Sequence, residues 1–80
     1  SLLLYSKKAL MFYPTEPLYY YFNGVSNSFF NNLNEAKISL EEGIEYVFDN
    51  DALYSEFQNS LADVYNSMEL YNQSDSLFTL

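Results

Sequence analysis

The chain has 80 residues, 49% of them apolar, no cysteine and no histidine, and three lysines, no arginine and eleven acids give it a net charge of -8. One small domain or an excerpt of a longer array fits that length, while disulfide knots, zinc modules and histidine-centred acid-base chemistry are excluded. A nucleic-acid binder needs the opposite charge balance, and no run of 18 apolar residues is present to cross a membrane.

Nine tyrosines and seven phenylalanines stand against only two glycines and two prolines, so the elements are long. Leu3, Leu4, Ala9, Leu10 and Phe12 recur at helical spacing and predict a helix from about Leu2 to Tyr13. Pro14 and Pro17 bracket a corner. Thr15 or Glu16 opens the next helix with Pro17 in its first turn, and the stripe Leu18, Phe22, Val25, Phe29 carries it to about Asn31. Asn34 is expected as the next N-cap, with Leu33 before it packing as a staple on Ile38, in a third helix that reaches about Phe48. The Asp49-Asn50-Asp51 corner caps a fourth helix built on Leu53, Phe57, Leu61, Val64 and Met68, ending near Ser67. A fifth is expected to open at Asn72. The fold class expected is therefore all-α, five helices in antiparallel succession without a strand.

Self-similarity adds a second layer. Gly24 and Ala62, Leu33 and Tyr71, Asn34 and Asn72, Ala36 and Ser74, and Leu40 and Phe78 are like-for-like pairs at one offset of 38, and Ala9-Leu10 matches Gly43-Ile44 at 34. Small residues such as Gly24, Ala36, Gly43, Ala62 and Ser74 let the two helices of a hairpin approach, and large ones such as Tyr20, Leu40, Tyr65 and Phe78 fill the space between layers. With Tyr20, Gly24, the Leu33-Asn34-Glu35-Ala36 run, Leu40 and Gly43 in those roles, the chain resembles the tetratricopeptide repeat, a helical hairpin of about 34 residues. Asn23 and Asn27 stand in slots that the family usually fills with apolar residues. The resemblance implies antiparallel hairpins stacked as a right-handed solenoid, in which residues 1–16 close one repeat, 17–50 form a full repeat and 51–80 begin the following one. It also implies that ends of the array without sequence neighbours pair with other chains.

Other chemistry is weak. A calcium loop starting at Asp49 would need glycine at its sixth position, which is Tyr54, so capping is the better use of that corner. Glu41, Glu42 and Glu45 read as a solvated stripe more readily than as an acid-base pair, and the serines have no histidine to activate them. The aromatic run Tyr19 to Phe30 reads as helix-helix core before a stacking platform. No catalytic residue, metal or cofactor is expected.

In the resembled family, the first helix of each hairpin lines a concave groove. Carried over, this face holds Leu18, Tyr21, Val25 and Phe29 from one unit and Glu56, Asn59, Asp63 and Asn66 from the next. Amides clamping a peptide backbone beside apolar and acidic neighbours suit an extended peptide with basic and apolar residues. The function expected is thus a protein-interaction module, and the alternative is a structural spacer or self-association element without its own ligand. Lack of cysteine suits a bacterial cytoplasm and a periplasm equally.

Overall fold

The structure, a computed structural model, describes the backbone of residues 1–79 and the side chains of residues 1–70. Four helices follow one another: α1 Leu2–Phe12, α2 Pro17–Phe29, α3 Leu33–Ile44 and α4 Asp51–Thr79, and no strand occurs among the described residues. The molecule measures 46 × 26 × 15 Å. Its long dimension is that of α4, whose 29 residues span roughly 44 Å at the α-helical rise of 1.5 Å.

The corners show why each helix stops where it does. Ser1 Oγ accepts from the Leu4 amide at 3.3 Å to open α1, and Glu16 Oε1 accepts from the Leu18 amide at 3.3 Å to open α2, with Pro17 in the first turn. The Tyr20 hydroxyl donates to the Pro14 carbonyl at 2.7 Å, fastening the corner to the helix that follows. At the end of α2, Asn31 takes a left-handed φ of 65°, its amide donates to Ser28 O and the Asn32 amide reaches Asn27 O at 2.8 Å. That pair of bonds is a Schellman closure with asparagine in the place usually held by glycine. It leaves Asn32 at the N-cap of α3, two residues ahead of the expected Asn34. Leu33 consequently lies inside the first turn, and Ile38 is 51% exposed, so the expected staple is absent. The third helix also ends at Ile44 and not at Phe48, because Glu45, Tyr46 and Val47 donate to carbonyls three residues back and tighten the chain into turns. Asp49 then turns through φ 49°, and Asn50 Oδ1 caps α4 by accepting from the Leu53 amide at 3.1 Å.

The fifth helix is a correction: α4 continues without a break through Ser67 and Asn72 to Thr79. Between Ser67 and Asn72 stand Met68, Glu69, Leu70 and Tyr71, with neither glycine nor proline. An asparagine in a helix interior costs only a fraction of a kcal/mol, well short of the ~3 kcal/mol by which proline breaks one.

Packing follows the expected division of large and small where α2 meets α3 but not on α4, where Ala62 is exposed and Tyr65 is 46% exposed, and Ser74 and Phe78 lie outside the residues whose side chains are described. Gly24 faces Leu40, and Gly43 faces Tyr20 and Phe57, which sets α2 and α3 antiparallel at close range. The core is Ala36, Leu40, Phe57 and Val64, all at most 1% exposed, ringed by Tyr20, Tyr21, Ile44, Val47, Leu53, Leu61 and Met68. Among the described residues, helix α1 packs on α2 alone, while α4 lies mainly on α3 and also touches α2.

Candidate functional site

Helix α4 is turned so that Phe57 and Val64 point into the core, and this fixes the rest of its circumference. Tyr65 falls on the α3 side, where its hydroxyl donates to Glu41 Oε1 at 3.1 Å. Glu41 also sits 4.0 Å from Lys37, so the acid is engaged in holding α4 to α3. Desolvation against α3, then the Glu41 bond, raises the Tyr65 pKa.

Glu56 and Asp63 fall on the α2 side, two turns apart. The Tyr21 hydroxyl donates to Glu56 Oε2 at 3.3 Å, and the same ring meets Phe57 edge-on at 5.4 Å between centroids, so Tyr21 is half core and half tether. Further along the same seam, Val25, Ser28 and Leu40 face Ser60, Asp63 and Val64 around a hollow of about 120 Å³. Its floor is apolar, since Leu40 and Val64 are buried, and its rim holds one carboxylate.

Of the eight expected groove residues, the structure brings Tyr21, Val25, Glu56 and Asp63 together. Leu18 is 40% exposed at the start of α2. Phe29, 84% exposed at the other end, turns toward α1: its ring lies 5.5 Å from Phe30, and both line an apolar hollow of about 310 Å³ with Leu2, Leu3 and Val25. Asn59 and Asn66 are exposed. At 3.6 residues per turn they lie on one line of α4 nearly opposite Phe57 and Val64, with Asp63 between them and α2, so they turn outward and do not face Tyr21 and Val25 as expected.

Sequence reasoning missed a second feature. Asn23 and Asn27, each 6% exposed, form a polar ladder across three helices. Asn23 Nδ2 donates to Ser6 Oγ on α1 at 3.3 Å, and its Oδ1 accepts from Ser39 Oγ on α3 and from Asn27 Nδ2 at 3.0 Å. Asn32 Nδ2 donates in turn to Asn27 Oδ1 at 3.3 Å, and Ser6 Oγ donates to Leu3 O at 2.9 Å. Asn23, Asn27, Asn32 and Ser39 line a cleft of about 610 Å³ between α1 and α3, with Leu3, Lys7 and Leu10 on one side and Glu35 and Glu42 on the other. The signal was present as asparagines at i and i+4 in a helix whose first two turns are apolar, but the partners come from other elements. No protein-family model, curated protein or solved structure matches this chain.

Proposed function

We propose that this chain is a protein-interaction module, a segment of a right-handed tetratricopeptide-like solenoid that holds an extended basic-apolar peptide on the face shared by α2 and α4. The observation that carries the reading is the composition of that face. Val25 on α2 lies along a seam whose other bank, α4, offers Glu56 and Asp63, the Tyr21 hydroxyl already reaches across it, and exposed Leu18 stands two turns before Val25 on the same line of α2. A peptide in the seam would set apolar side chains on α2 and cationic ones on α4, and a backbone clamp by Asn59 and Asn66 requires it to wrap over α4, since those amides point away from the core-facing side of that helix. The repeat of 38 residues and the close helix approach at Gly24 and Gly43 support the solenoid part of the reading.

Selection from a random-peptide display library tests it. The enriched sequences should combine Lys or Arg with Leu, Ile or Phe, and Val25→Asp should abolish their capture. Asn59→Ala or Asn66→Ala should weaken it up to about thirtyfold, the loss of one backbone hydrogen bond or two. A spacer without a ligand would enrich no sequence class, and peptides that ignored all three substitutions would refute the groove.

A further inference from the structure

We propose that the hollow between α2 and α4 is a lysine pocket, in which the methylene stem of a peptide lysine lies over Val25, Leu40 and Val64 and its ammonium rests on the Asp63 carboxylate. The inference builds on the peptide-groove reading and names the residue that anchors the peptide.

Three features of the seam select this side chain. The hollow, about 120 Å³, has a size for one side chain and not for a larger ligand, and its lining changes from an apolar floor at Leu40 and Val64 to a polar rim at Ser28, Ser60 and Asp63. That order, apolar first and charged at the tip, matches an unbranched chain ending in a cation, and a norleucine or leucine would leave the rim unused. The rim supplies three separate oxygen acceptors, two hydroxyls and one carboxylate, against the three N–H donors of an ammonium. A guanidinium spreads five donors in a flat fork suited to two-point contact with a single carboxylate, so arginine is the poorer match.

The carboxylates of the face are also unequal. Glu56 is drawn to α2 by the Tyr21 hydroxyl, whereas among the described residues Asp63 meets no cation of its own chain. Lys7 and Lys8 lie on α1, and Lys37 sits beside Glu41. Asp63 is therefore the acid left for an incoming charge.

The test is a nuclear magnetic resonance titration of the 80-residue chain with three blocked peptides, acetyl-Ala-Leu-Lys-Leu-Ala-amide and its norleucine and arginine counterparts. The lysine peptide should shift the amide signals of Ser28, Ser60 and Asp63. The norleucine peptide should bind roughly tenfold more weakly, the loss expected when one partner of a charge-assisted hydrogen bond is removed, with arginine between them. Asp63→Asn should lower the lysine peptide to the norleucine level and leave norleucine binding unchanged. Equal affinities with shifts still on the α2/α4 face would overturn the lysine pocket and leave the groove standing. Shifts confined to other surfaces, such as Leu3, Lys7 and Leu10, would overturn the pocket and the groove together.

Discussion

Burying a side-chain amide without partners costs about 2 kcal/mol or more, so two asparagines at 6% exposure on one helix call for an explanation. In this chain every oxygen and amide hydrogen that matters is spoken for by Ser6, Ser39, Asn32 and the α2 backbone, and no buried side-chain N or O atom among the described residues lacks a hydrogen bond. Asn23 is the hub, since of the two it is the one hydrogen-bonded to side chains of both α1 and α3. Asn23→Ala should destabilise the chain by about 1–3 kcal/mol, because Ser6, Ser39 and Asn27 all lose a partner at once. The check is a lower urea midpoint at unchanged slope. None of this was legible locally, since Ser6 and Ser39 lie 17 and 16 positions from Asn23 and only the tertiary packing brings them to it. Tyrosines give a second prediction. Burial raises the Tyr20 pKa, with Tyr46 and Glu42 adding to the effect. The folded chain thus holds this phenolic proton more tightly than the unfolded one, so the contribution is complete below the ordinary tyrosine pKa of about 10 and is lost as pH rises through the folded value. Thermal unfolding followed against pH should show Tm falling faster above that point in the parent chain than in Tyr20→Phe, and parallel pH profiles would contradict it.

Helix positions and helix boundaries were legible to different degrees, for physical reasons. Periodicity located all four helices, and the Pro14 to Pro17 corner was plain because proline leaves few alternatives. The α2/α3 corner was placed two residues late because Asn31, Asn32 and Asn34 are all competent for a cap or a left-handed turn. Only the bonds that Asn31 and Asn32 make back to Ser28 and Asn27 decide between them. At the far end, a fifth helix was expected from Asn72 as an N-cap, but a residue competent to cap does not interrupt a helix when nothing before it breaks the chain. The glycines were read correctly as close-approach positions, and this can be measured. A methyl on Gly43 would run into the Cβ of Tyr20 and stand 2.8 and 2.9 Å from the Phe57 ring. The ring can shift a little, but Tyr20 Cβ is fixed to the α2 backbone, so the helices would have to part. Gly43→Ala gains about 1 kcal/mol in helix propensity and loses about 1–3 kcal/mol to overpacking, so a net loss is expected. Chemical denaturation decides it, and a more stable alanine variant would mean that α2 and α3 are less tightly joined than the contacts imply.

Charge is sorted across the whole molecule. Helix α1 carries Lys7 and Lys8 and no acid, α2 carries no charge, α3 carries Glu35, Glu41 and Glu42 against Lys37, and α4 carries acids alone. The negative end of this distribution is the bank of the proposed groove, and the positive end lies beyond α2 from it, on α1, which packs on α2. Neighbouring helix axes stand about 8–10 Å apart, so α1 is some two spacings from α4, twice the Debye length of about 10 Å at 0.1 M salt. A basic peptide approaching the face should therefore feel Glu56 and Asp63 strongly and the two lysines weakly. Stopped-flow association of a library-selected basic peptide should slow by about tenfold for Glu56→Lys with Asp63→Lys at about 0.1 M salt. Lys8→Glu should change the rate less than twofold under the same conditions, a small effect set by screening across α2. Raising the salt should bring all three proteins to one rate, since what remains is diffusion and orientation without steering. Equal sensitivity to the α1 and α4 substitutions would show that the peptide answers to the net charge of -8 and not to the α2/α4 face.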